Sequence, residues 1–96
     1  MLFRSKSLRK SSLSYKELIE DITKSKPADQ RVAQCAVMKQ EKEGNIEVIV
    51  IYLDKENQPV LSSPDGSVDY GFAYTVKTVD PELAELFLRK DTVIFK

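Results

Sequence analysis

Ile46 to Leu53 reads Ile-Glu-Val-Ile-Val-Ile-Tyr-Leu, and Glu47 is its only charged residue. Successive side chains of an extended chain point to opposite faces, so a run that is apolar at both odd and even positions has two faces to hide from water. Its β-branched and aromatic residues fit a pleated sheet better than a helix. The run therefore predicts a central strand, covered on both sides or nearly so, with other strands hydrogen-bonded beside it.

The neighbouring segments supply those strands. Arg31 to Lys39 contains good helix formers, but as a strand it pairs with the central run through Glu41-Lys42-Glu43-Gly44-Asn45, Gly44 taking the positive φ such a turn needs; strand is the reading adopted. Asp54 to Pro59 reads as a polar turn, Val60 and Leu61 as a short return strand, and Ser62 to Gly66 as a second turn. Val68 to Val79 reads as the longest strand, setting Val68, Tyr70, Phe72, Tyr74 and Val76 on one face. Thr92 to Phe95 can close the sheet.

Two helices complete the pattern. Ser14 and Glu17 have the spacing of a capping box, and Leu13 and Leu18 stand at the positions of a hydrophobic staple. Tyr15, Leu18, Ile19 and Ile22 then share one face of a helix running to about Lys24, and Pro27 forbids continuation. Asp80 as N-cap, Pro81 in the first turn and Glu82 after it start a second helix that runs to about Arg89, with Leu83, Leu86 and Phe87 facing inward. The expected fold is α+β: an antiparallel sheet of four or five strands in a β-meander, with two short amphipathic helices on one face.

Charge divides the chain unevenly. Arg4, Lys6, Arg9, Lys10 and Lys16 all precede the first acid, Glu17, while the rest carries ten bases and fifteen acids. A formal net charge of zero is thus +5 joined to −5. Residues 1–12 read as a basic, Ser-rich arm on a single domain, 13–96. Such an arm suits phosphate, an anionic membrane surface or an acidic protein face. The composition of residues 1–14 also matches an organellar targeting peptide, and a plain solvated tail is the simplest alternative. Phosphorylation of Ser11 or Ser12, which follow Arg9-Lys10, would cancel one to two of the arm's charges.

Composition closes many routes to catalysis. The 96 residues include no histidine, which removes Ser-His and Cys-His nucleophile pairs and histidine metal sites. Cys35 is alone, so no internal disulfide and no zinc framework can form, and it reads as a small buried hydrophobe in a reducing, cytoplasmic compartment. The three glycines fit no phosphate-binding loop, and Asp65 and Asp69 fit no calcium loop. No apolar run approaches the roughly 20 residues of a membrane-spanning helix. No metal or cofactor is expected.

One short string carries a possible chemistry of recognition. Gly71-Phe72-Ala73-Tyr74 resembles the core of the RNP1 motif of RNA-recognition domains, in which two aromatic rings on an open sheet face stack on bases. Tyr70 stands where that motif has a basic residue, Thr75 replaces an aliphatic one and Lys77 replaces a third aromatic. The alternative for Tyr70, Phe72 and Tyr74 is packing beneath the helices. The function expected is that of a small non-enzymatic interaction or regulatory protein, with a protein partner favoured and a homo-oligomer allowed. One alternative is nucleic-acid binding through the aromatic strand and the arm. Another is a small enzyme or enzyme subunit whose carboxylate site forms only in an oligomer. The candidate binding residues are Arg4, Lys6, Arg9, Lys10, Lys16, Tyr70, Phe72 and Tyr74.

Overall fold

A computed structural model describes residues 6–88 and 90–95. Its elements run β1 (Lys6–Arg9), β2 (Ser12–Leu13), α1 (Tyr15–Ser25), β3 (Gln34–Lys42), β4 (Asn45–Leu53), β5 (Phe72–Val76), β6 (Thr78–Val79), α2 (Pro81–Leu86) and β7 (Thr92–Phe95). The fold is α+β, with a five-stranded sheet in the order β1-β5-β4-β3-β7 and a small pair, β2-β6. Among the described residues no helix is long and apolar enough to cross a membrane.

β4 lies at the centre, as its sequence requires. The ambiguous segment before it is a strand, and the two form a hairpin in which Lys42 pairs with Asn45. Glu43 and Gly44 fill the turn with φ of +53° and +81°, the left-handed pair whose twist matches that of the flanking strands. β3, β4 and β5 are successive antiparallel neighbours, the meander expected.

The sheet as a whole is mixed, which corrects the purely antiparallel expectation. β1 lies along β5 in parallel, Lys6 opposite Phe72 and Arg9 opposite Thr75. Parallel neighbours need a long crossover, and here β1 and β5 are separated by α1 and the β3–β4 hairpin. The boundary drawn at residue 12 consequently falls within the folded body. Leu8 packs against the core, Lys10 N–H donates to Thr75 O at 3.0 Å, and Leu13 is fully buried. Charge hid this segment, since one leucine among Lys, Ser and Arg gives little strand signal. Residues 1–5 of that proposed arm lie outside the described residues.

The long strand expected over Val68–Val79 is shorter and divided. Gly71, at φ +88°, turns the chain into β5, and Val68 is 54% exposed. At Lys77 the strand breaks, where the N–H groups of Lys77 and Thr78 both donate to Ser11 O. The return strand at Val60–Leu61 reduces to isolated bridges, Leu53 with Pro59 and Ser62 with Asp69. α2 ends at Leu86, and the expected terminus at Arg89 falls outside the described residues.

Breaking at Ser11 and Lys77 brings both helix starts together after the β2-β6 pair. The Ser14–Glu17 capping box forms as read, with Glu17 N–H donating to Ser14 Oγ at 3.1 Å and Ser14 N–H to Glu17 Oε1 at 3.2 Å. Asp80 caps its own helix by accepting the Leu83 N–H at 2.8 Å, and the same oxygen accepts the N–H of Tyr15, the first residue of α1, at 3.2 Å. One carboxylate thus serves two helix N-termini, whose partial positive charges both favour it.

Both helices cover the same face of the sheet. The core joins Leu18 of α1 with Leu83 and Phe87 of the α2 region to Cys35, Val37, Val48, Val50, Tyr52, Phe72, Tyr74 and Val76. Those sheet residues share one face by register, since Cys35 pairs with Tyr52, Val37 with Val50, Val50 with Phe72 and Val48 with Tyr74. Each fully buried Leu or Val contributes roughly 1.5–3 kcal/mol. Among the described residues the helices therefore cover β4 on one side only.

Candidate functional site

The residues singled out from the sequence do not converge. Arg4 lies outside the described residues. Lys6 and Arg9 sit in the edge strand β1, and Lys16 is exposed on α1. Lys10 is engaged: its Nζ lies 2.5 Å from Glu17 Oε2, and this hydrogen bond, with the Ser14 N–H behind it, lowers the Glu17 carboxyl below its ordinary range. One of the five basic charges is thereby tied to the capping box of α1.

The three aromatic residues have structural partners. Phe72 is 4% and Tyr74 0% exposed, and their rings meet edge to face with centroids 5.5 Å apart. Neither presents a face to solvent on which a base could stack, because strand alternation turns both toward the helices. Tyr74 hydroxyl donates to Asp21 Oδ2 of α1 at 2.6 Å. Burial first, and that hydrogen bond second, push the Tyr74 phenol well above its ordinary value. Tyr70 hydroxyl donates to Asp29 Oδ2 at 3.0 Å. Asp29 also accepts Arg31 Nη2 at 2.7 Å and Nε at 3.1 Å, and Arg31 Nη2 reaches Ser62 O at 2.8 Å. The Arg31 guanidinium, with its backbone N–H next, holds the Asp29 carboxyl far below the usual range. This cluster fastens the α1–β3 loop to the β4–β5 loop.

Beneath the C-terminal end of α1 lies a cavity of about 250 Å³. Ile22, Val32, Cys35, Tyr52 and Phe95 line it, with Lys26 at its side. Burial raises the Cys35 thiol to about 11, which leaves it protonated and unreactive near neutral pH. Tyr52 hydroxyl is spent on Ile22 O at 2.8 Å. Among the described residues no three carboxylate or thiol groups gather in a manner that could hold a metal ion.

The remaining surface is the second face of the sheet. Register places Ala36 beside Ile51 and Ile94, Met38 beside Ile49 and Thr92, and Ile49 beside Ala73. None of Ala36, Met38, Ile49, Ile51, Ala73 and Ile94 belongs to the cluster beneath the helices, although Ala36 is only 7% exposed, and Leu53, two residues beyond Ile51 on the same face, is 6% exposed. Ile94 is 43% exposed, and Met38, Ile49, Ile51 and Ala73 are half-buried. One end of this face turns polar: Gln40 Nε2 donates to Glu47 Oε1 at 2.6 Å, and Arg9, Lys42, Glu43, Asn45, Glu47 and Thr75 edge a shallow groove there. Selecting residues by charge and aromaticity missed this face. Its signal was the apolar character of β4 at both odd and even positions.

No protein-family model, no curated protein and no solved structure matches this chain.

Proposed function

We propose that this chain is a non-enzymatic interaction module that binds another protein chain through the helix-free face of its sheet. One observation carries the reading: Met38, Ile49, Ile51, Ala73 and Ile94 form a continuous apolar surface across four strands, outside the core cluster. Apolar surface gathered in one place favours association in proportion to the area removed from water, about 25 cal/mol per Å². Proteins offer apolar surface to match, whereas a nucleic-acid backbone asks for a concentration of cations. Here Lys10 is paired, and Arg9 shares its groove with Glu43 and Glu47. The absence of histidine from the chain supports binding without catalysis. In this reading the protein acts in the cytoplasm in a regulatory or scaffolding role.

The test is site-specific photo-cross-linking in the cells that make the protein. A benzophenone side chain placed at Ile94 or Met38 of the full chain should give a covalent protein adduct, and one at Lys55, in the β4–β5 loop, should not. No adduct from the two face positions, or equal adducts from all three, would remove the reading.

A further inference from the structure

A strand apolar on both faces exposes one of them to water unless both are covered, and the described residues supply helices for one. The uncovered face has properties that suit an identical surface. The chain has a formal net charge of zero, so no net repulsion opposes the approach of two copies. The polar end of the face is balanced as well, with Arg9 and Lys42 against Glu43 and Glu47. At about 3.3 Å per residue and 4.8 Å between strands, the four strands β5, β4, β3 and β7 present roughly 430 Å² in plan. Two copies then bury about 850 Å², the size of a weak, concentration-dependent contact.

Side-chain size around the face is also self-complementary. Bulky Ile94 stands on the β7 side and small Ala73 on the β5 side, while Ile51 of β4 is directly beside Ala36 of β3. A two-fold axis parallel to the strands, between β3 and β4, exchanges β4 with β3 and β5 with β7. It sets Ile51 of each copy over Ala36 of the other and, one side-chain step along the strands, Ile49 of each over Met38 of the other, while each Ile94 reaches the start of the other's β5, two residues short of Ala73. A large residue meets a small one at the Ile51–Ala36 contacts, and at the Ile49–Met38 contacts the unbranched Met38 side chain can adapt to the isoleucine across two sheets about 10 Å apart.

We infer that the chain occupying the helix-free face is a second copy, packed sheet against sheet in an isologous dimer. This rests on the interaction reading above and names its partner. Light scattering coupled to size exclusion, on the full chain from about 5 to 200 µM, tests it. The mass should rise with concentration from 10.9 kDa toward twice that value. Ile51→Lys and Ile94→Lys should each hold the mass at one chain with unchanged far-ultraviolet circular dichroism. Leu88→Lys, at a 76% exposed position near the end of α2, should dimerise as the parent does. Should Ile51→Lys fail to fold, Ile94→Lys decides, because its side chain is already 43% exposed. A single-chain mass at about 200 µM, or a dimer that survives Ile94→Lys, overturns the inference. If the purified chain is monomeric while Ile94 cross-links to a different protein in cells, the second copy is wrong and the interaction reading stands. If the chain is monomeric and Ile94 cross-links to nothing, both fall.

Discussion

Tyr74→Phe separates a core tyrosine from a recognition tyrosine. The substitution keeps the ring and removes the hydroxyl that donates to Asp21 Oδ2 at 2.6 Å. Hydrogen bonds to charged groups contribute about 1.5–3 kcal/mol net. Asp21 is half-buried, so water can replace part of what it loses, and the expected cost sits near the lower end, about 1.5 kcal/mol. For a domain of 60–100 residues each kcal/mol moves Tm by about 4–8 °C, which predicts a fall of roughly 6–12 °C. The alkaline limb gives a second readout. Because the folded-state phenol titrates above its ordinary value of 10, the folded state keeps a proton that the unfolded chain releases. Its contribution is therefore full below about pH 10 and falls as pH rises, by about 1.4 kcal/mol per unit. Tyr52, whose phenol burial also raises, adds a similar term, so Tyr74→Phe should lessen the alkaline slope without abolishing it. Thermal and urea unfolding followed by circular dichroism at pH 7, 9, 10 and 11 measure both effects. A change within about 0.3 kcal/mol of zero with an unaltered alkaline slope would mean that Tyr74 is solvated, and would restore the open aromatic face.

Three further outcomes are expected. Ser14→Ala should cost about 1 kcal/mol in a urea titration, since it frees the Glu17 N–H in the first turn of α1; an unchanged midpoint would deny the cap. Deleting residues 1–10 removes β1, the packing of Leu8 and the Lys10–Glu17 pair, and it should lower stability by about 1–3 kcal/mol once the released chain entropy is counted. Unaltered unfolding of that truncated chain would return β1 to the status of a dispensable arm. Below about pH 4 stability should decline: the Asp65 carboxyl is lowered to about 2, chiefly by the Ser63 hydroxyl and the Ser67 N–H, and those of Asp29 and Glu17 are lowered too. Such groups stabilise the fold above their unfolded values and lose that contribution as acid protonates them, so urea midpoints that rise from pH 5 to pH 2.5 would contradict the assignment.

What could be read from the sequence was local chemistry. The Ser14–Glu17 box, the Asp80-Pro81 helix start and the positive φ at Gly44 depend on residues within a few positions of one another, and each appears as read. Pairing between distant segments was less legible. Nothing in Lys6-Ser7-Leu8-Arg9 marks it as the parallel neighbour of Phe72–Val76, because its ladder is made by backbone groups that every residue carries. The aromatic run at Tyr70–Tyr74 shows alternation clearly, but alternation gives two faces without saying which one the helices cover. That choice is made by Leu18 and Leu83, which reach the sheet from opposite ends of the sequence.

The charge asymmetry and the two-faced strand led in different directions, and tertiary pairing explains why. A count of charges ignores partners, and Lys10 finds Glu17 at 2.5 Å once β2 turns the chain into α1. Apolar surface has no such short-range partner to consume it, since each Ile or Met left over after the core is assembled still faces water. Ile46 to Leu53 has two apolar sides, α1 and α2 pack on the side of Val48, Val50 and Tyr52, and among the described residues no helix lies on the side of Ile49 and Ile51. A lysine at Ile94 tests that remainder directly, for it adds charge to a position already part-exposed in the isolated chain and burdens only the state in which another chain lies across the face.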